Sequence, residues 1–426
     1  MNITRQRLAG LSLFSALLVT ACSDSDDRLV DPADSHSDVF TTESVVLGDR
    51  PSSLVALLPE GELRSRLETC DVSAIRPQTF SIAHRGAPFG FPEHSVEGYE
   101  AAASQGAGII ECDVTFTSDR ELVCRHSQCD LHTTTDILAT ELAQHCTVPP
   151  DTSSATPYEN VQCCTSDLTL PEFRTLRAKR DGADPTAATL AEYLAGTPGW
   201  IADENVDYGT LLTHAESITL FDSFGVSMTP ELKEAAVDMP FDGDYTQSAY
   251  AQQMINEYTA AGISPDRVFA QSFQLEDVLY WISAEPLFGK QAVFLDSRYT
   301  VDGFDTADAS TFAPSMQELV DQGIKYLAPP MPFLVTLDEQ QNITPSVYAN
   351  EAKASGLNLI TWTLERSGSL DEGGGFYYSS ISPVIDDDGD ALRLLDVLAK
   401  DVGVTGVFSD WPATTTFYAH CTDLEG

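Results

Sequence analysis

Short runs of apolar and β-branched residues recur along the chain, with helix-like stretches between them. FSIAHRG, GIIECDVTFT, GVSMTPELK, RVFAQSF, QAVFLDSR, KYLAPPM, NLITWTLE and GVFSD read as eight strands. Strands alternating with helices predict a parallel sheet, because parallel neighbours need a crossover connection. TLAE at 189–192 and SMQE at 315–318 place a hydroxyl three residues ahead of a glutamate, the spacing of a capping box. In TPSVYANEAKASG, Pro345 is expected at the first helical position after Thr344, and Gly356 beyond the last. Eight such units predict an α/β fold, a (β/α)8 TIM barrel. A doubly wound open sheet uses the same units, since counting strands does not show closure.

The alternation stops between His126 and Thr189, where four cysteines and several prolines gather. Barrel connections are ordinarily far shorter, so residues 127–188 are expected to form a cysteine-rich insertion after the second strand, a small lobe over one rim. The barrel domain is then 76–426, preceded over 22–75 by a polar tether and a short helix in SLVALLPEGELRSRL. The DDDGD run at 386–390 lacks the alternate acids and closing glutamate of a calcium loop and reads as a solvated turn.

The N-terminus carries a targeting pattern. Arg5 and Arg7 precede LAGLSLFSALLV, a run shorter than the ~20 residues a membrane span needs, so residues 1–21 read as a signal peptide. VTAC resembles the lipobox of bacterial lipoproteins, which implies lipidation of Cys22, and Ser23 after it resembles the outer-membrane sorting pattern. The expected location is therefore exported and lipid-anchored to the outer membrane, an ordinary cleaved signal with a chance cysteine being the alternative. The other eight cysteines are an even number in an exported chain and predict disulfides. Eight allow about 105 pairings, and no paired CxxC spacing points to zinc.

Charge narrows the partners. With 65 acidic against 23 basic residues the net charge is -42, a surface that repels nucleic acid and anionic lipid. An anionic substrate would need local positive charge or a metal. Glu111 and Asp113 flank Cys112 in the second strand, so period-two geometry puts both carboxylates on one face. Glu231 and Lys233 repeat that spacing in the third strand. Buried acids side by side are costly without a cation, and three carboxylates from neighbouring strand ends suit Ca²⁺ or Mg²⁺. His84 ends the first strand and His126 follows ELVC; both fall where barrel active sites assemble.

The ordered set HRG…PEHS, IECDVTFTSDRELVCRH and PELK, followed by RVFAQSF, LNLITWTLE and GVTGVFSDWP, resembles the glycerophosphodiester phosphodiesterase family over residues 78–415. That resemblance implies a TIM barrel with an insertion after the second strand and metal-dependent hydrolysis of glycerophosphodiesters to glycerol 3-phosphate and an alcohol. It implies His84 and His126 as the acid/base pair and Glu111, Asp113 and Glu231 as ligands of one divalent cation. Arg85 and Lys233 would hold the phosphate, Glu93 would support the first loop, and Trp362 would wall the glycerol or leaving group. The chain departs from the family pattern at Ser127, where Asp is usual, and at EHS (residues 93–95), where ENT is usual. A lysophospholipid or other phosphodiester as substrate, or a non-catalytic surface lipoprotein, are the alternatives.

Overall fold

All eight expected strands form, and they close. In the computed structural model, which describes residues 45–201 and 208–424, they are β1 (Gln78–Ala83), β2 (Ala107–Phe116), β3 (Ser227–Leu232), β4 (Gln271–Ser272), β5 (Val293–Leu295), β6 (Tyr326–Ala328), β7 (Asn358–Leu364) and β8 (Gly406–Ser409). Each pairs in parallel with its chain neighbours, and β1 pairs with both β2 and β8, so no sheet edge remains in the ring. The fold is an α/β TIM barrel. Helices α1 (Val96–Ser104), α2 (His214–Phe224), α3 (Gln247–Ala260), α4 (Leu275–Ala284), α5 (Met316–Asp321), α6 (Val347–Ala354), α7 (Asp390–Val397) and α8 (Ala413–Cys421) follow the strands in turn. The signal segment and Cys22 lie outside the described residues.

Strand alternation sorts the side chains into two layers. Ile82, Ile109, Leu295, Ile360 and Phe408 point inward and pack with one another in the lumen. Their sequence neighbours, including Ala83, Ile110 and Val407, belong to the larger cluster between sheet and helices. This parity sends Glu111 and Asp113 inward with Ile109, while Cys112 packs outside.

Three local readings change. Pro345 belongs to a short antiparallel pair with Val335, and α6 begins after Ser346, whose Oγ accepts the Ala349 amide at 3.0 Å. A strand partner took the proline, and the next hydroxyl became the cap. TLAE does cap a helix, Leu190–Leu194, but Tyr193 of that helix is buried in the lobe's own apolar cluster, beyond residue 188 where the sequence placed the lobe's end. The crossover helix to β3 is α2, capped by Thr213 with Glu216. The N-terminal helix is two, Arg50–Leu57 and Glu62–Glu68, separated at Pro59, and both pack on the barrel's main core through residues such as Leu54 and Leu67.

The eight cysteines pair as Cys70–Cys421, Cys112–Cys124, Cys129–Cys164 and Cys146–Cys163. The last two staple the lobe, whose apolar cluster of Leu131, Ile137, Leu168 and Phe173 is separate from the barrel's. Cys70–Cys421 fastens the N-terminal segment to α8 across 351 residues. A bridge over so long a loop restricts the unfolded chain, an effect of about 2–4 kcal/mol in typical proteins.

Candidate active site

The site is built where β1, β2 and β3 end. Leaving β1, the chain turns through Arg85 at φ 58° and Gly86 at φ 94°. A Cβ on Gly86 would stand 2.9 Å from the Gly98 carbonyl carbon, so glycine is required there. The turn aims the Arg85 amide at Glu111 Oε2, 2.9 Å away. Glu111 Oε1 accepts from Gln271 Nε2 at 2.9 Å. Asp113 and Glu231 are register partners across β2 and β3. One carboxylate oxygen from each of Glu111, Asp113 and Glu231 lies within 4.8 Å of the others, and all three residues are buried.

Charge in this cluster is unbalanced. Burial pushes the Glu111 carboxyl well above the carboxylate range, and the charges of Asp113 and Glu231 push it further. Burial also lifts Glu231 to about 7, against the pull of the Lys233 ammonium, which sits 2.6 Å from Glu231 Oε1. Asp113 goes the other way: burial opposes its charge, but Lys233 and His94 outweigh that and hold it well below the usual range. Asp113 Oδ2 is bonded to His94 Nε2 at 2.8 Å, whereas its Oδ1 is buried with no hydrogen-bond partner. Three converging hard oxygen donors, one of them orphaned, fit a divalent cation of the Ca²⁺ or Mg²⁺ type.

The two histidines stand differently. His84 Nδ1 lies 2.5 Å from Asp410 Oδ1, and Asp410 Oδ2 accepts from Arg366 Nε at 2.8 Å. Burial lowers the His84 imidazole to about 4 although Asp410 raises it. His126 lines a cavity of about 610 Å³ together with Glu231, Lys233, Phe273 and Tyr299. Burial first, then the charges of Arg85 and Lys233, hold His126 well below its ordinary value. Both rings are therefore neutral at pH 7, and both feel the charges of Arg85 and Arg366.

Arg85 is buried, its Nη1 donating to Glu93 Oε2 at 3.0 Å and its Nε left without a partner 3.9 Å from Asp113 Oδ2. Glu93 does not line the large cavity. Burial opposes its charge, but Arg85 and Arg366 hold it at about 2, which makes it a fixed anion behind the arginine. Trp362 points into the lumen from β7, its Nε1 donating to the Ala328 carbonyl at 2.8 Å and its ring meeting Phe273 edge to face.

Sequence reasoning passed over Asp410, Arg366 and Gln271, and saw His94 only as a departure from the family pattern. Asp410 has the inward parity of Phe408 and was legible as such; Arg366 lies past β7 in a loop with no periodic signal. His94, in the EHS departure, is fully buried and bridges Tyr99 OH at 2.8 Å to Asp113. Ser127 caps a turn instead of facing His126: its amide donates to Asp130 Oδ2 at 3.0 Å and its Oγ accepts the Cys129 amide. Arg125 beside it, fully buried, donates to the Glu93 carbonyl and to Thr134 Oγ1, and so fastens the first loop to the lobe.

Residues 84–414 match the sequence pattern of the Glycerophosphoryl diester phosphodiesterase family. A curated fungal relative, named Extracellular protein in Arthroderma benhamiae, is 49% identical over 249 residues, 57% of this chain and 100% of that one. Glycerophosphodiester phosphodiesterase GDPDL5 of Arabidopsis thaliana is 24% identical over 344 residues, 79% of this chain but only 42% of the plant protein. A solved structure from Silicibacter pomeroyi, named for the same family, superposes with a TM-score of 0.53 at 18% identity, covering 84% of this chain and 98% of that one. At that identity the likeness is one of fold.

Proposed function

This chain belongs to the glycerophosphoryl diester phosphodiesterase family, and from that membership we propose that it hydrolyses glycerophosphodiesters to glycerol 3-phosphate and an alcohol. The observation that carries the reading is the cluster of Glu111, Asp113 and Glu231 within 4.8 Å, beside Lys233 and Arg85. These three carboxylates would hold one divalent cation, Ca²⁺ or Mg²⁺. When bound there, it supplies positive charge against the negative charge that develops on the phosphoryl oxygens.

The chain's own groups supply the rest. Lys233 and the unpartnered Arg85 Nε bind non-bridging oxygens, and Glu93 keeps the guanidinium aimed. Asp410 takes the Nδ1 proton of His84 as a hydrogen bond, which leaves Nε2 as an acceptor for the proton of the attacking hydroxyl. His126 delivers a proton to the departing alkoxide. Burial first, then the arginine and lysine charges, keep it neutral; a phosphodiester anion offsets the charge part, so its basicity rises with substrate in place. Trp362 walls the side on which the alcohol departs.

Purified protein given glycerophosphocholine, glycerophosphoethanolamine and glycerophosphoglycerol is expected to release glycerol 3-phosphate. Chelator should abolish the release, and Ca²⁺ or Mg²⁺ should restore it. No turnover of any of the three with either cation added would sink the reading.

Membrane attachment is a separate proposal, supported by Arg5, Arg7, the apolar run and VTAC. Cys22 is the lipidated mature N-terminus, and the enzyme works anchored outside the cytoplasm. The full-length protein should incorporate labelled palmitate and fractionate with membranes, and Cys22→Ser should be unlabelled and soluble. A mature chain that begins elsewhere than Cys22 would refute it.

A further inference from the structure

A file of aromatic rings runs outward from the phosphate-binding lysine. Lys233 Nζ stands over the Phe273 ring, 5.9 Å from its centroid. Phe273 meets Trp362 at 5.7 Å, Trp362 meets Tyr377 at 6.1 Å, Tyr377 meets Phe376 at 5.3 Å, and Phe376 meets Tyr299 at 5.3 Å. The rings come from the ends of β4, β5 and β7, three segments far apart in sequence that the barrel gathers on one rim. The outermost two, Tyr299 and Phe376, are 46% and 45% exposed and so stand at the solvent end of the file.

Polarity changes along the same path. Lys233 and Arg85 make the inner end cationic. The cavity lining also contributes the exposed Glu234 carboxylate, and among the described lining residues Lys233 is the one cation. The lining also carries Ser272, Gln274 and Ser297, polar groups that a hydrocarbon chain would strip of water without replacement. Aromatic faces with a nearby carboxylate attract a different guest, a large and weakly hydrated cation. A primary ammonium would lose hydrogen bonds against these rings; a quaternary one has none to lose.

Resting on the phosphodiesterase reading, we propose that this aromatic file is a subsite for a quaternary ammonium alcohol, the cationic half of a zwitterionic phosphodiester. The phosphate lies at Lys233 and Arg85, and the ammonium methyl groups lie against Phe273 and Tyr299 with Glu234 opposite. Specificity follows from distance: a phosphodiester with a neutral headgroup gains the inner contacts only. A free deacylated diester and a lysophospholipid present the same headgroup, so either can supply it.

The test compares kcat/KM for glycerophosphocholine and glycerophosphoglycerol in the wild type and in the double variant Tyr299→Leu, Glu234→Gln, both surface positions. Cation–π contacts and one carboxylate predict a preference of about 10-fold for the choline diester in the wild type, falling toward unity in the variant. Tetramethylammonium binding, read by calorimetry without turnover, should weaken in parallel. Equal kcat/KM for both headgroups in an active wild type overturns the subsite and leaves the phosphodiesterase reading standing. Tetramethylammonium binding without turnover of any diester removes that reading and keeps the subsite. No measurable binding of tetramethylammonium overturns the subsite. A third substrate, lysophosphatidylcholine, assigns the source: faster turnover than glycerophosphocholine points to the lipid, slower turnover to the free diester.

Discussion

His84→Ala should lower kcat by about 10²–10⁴-fold and leave KM for a soluble glycerophosphodiester nearly unchanged. In the proposed mechanism the ring would accept a proton in the transition state without being needed to hold the ground-state substrate, so the loss would belong to kcat. Asp410→Asn should be almost as damaging with the fold intact, because an amide in place of the carboxylate no longer fixes the Nδ1–H tautomer. The pH profile adds a signature. His84 titrates at about 4, below its ordinary value, because burial outweighs Asp410. A base must be deprotonated, so its acid limb in kcat/KM falls near pH 4 and not near 6.5. Removing Asp410 takes away a group that raises this value, so the limb attributable to His84 should move to lower pH still. Retention of more than about a tenth of wild-type kcat in His84→Ala would exclude the ring from the proton transfers.

The strands were legible because each buries two faces in a closed parallel barrel, and such strands are written as apolar runs whatever their partners. The inward parity of Glu111 and Asp113 was legible for the same reason. That Asp113 stands opposite Glu231 was not, because the register between β2 and β3 is set by the stagger of the whole ring. Asp410 ends a run that was read correctly as a strand, and its parity with Phe408 was the available signal, but in a chain with 65 acids that parity alone did not set it apart. Arg366, which ties Asp410 to Glu93, sits in a loop and depends on tertiary contact alone. His94 looks like a mild replacement of asparagine until its burial against Tyr99 and Asp113 is known. The disulfide pairing was beyond the sequence because only the fold selects among the possible connectivities. Pro345 shows the reverse case, where a sound local signal yielded to a strand partner.

Glu111→Gln is expected to move activity and stability in opposite directions. Three carboxylates converging within 4.8 Å repel by about 3–4 kcal/mol per ionised pair at an effective dielectric near 20, or else take up a proton at a similar cost. Burial and the two neighbouring acids already push Glu111 toward the neutral form, which marks it as the member that suffers most. Glutamine removes that charge at nearly constant volume. Its carbonyl can still accept the Arg85 amide, and its NH₂ can donate to Gln271 Oε1, now a buried acceptor without a partner, once the Gln271 amide flips. In chelator the variant should therefore unfold a few degrees above the wild type. Added Ca²⁺ or Mg²⁺ should reverse the order: the wild type gains about 2.7 kcal/mol when the cation is at 100 times its Kd, and the variant gains little. Turnover should fall by about 10³-fold, because the charge that offsets the developing oxyanion is no longer held. Differential scanning fluorimetry with and without cation reads both signs in one experiment. A variant stabilised by cation as strongly as the wild type would take Glu111 out of the ligand set, and one less stable than wild type in chelator would mean that the acids are not strained against one another.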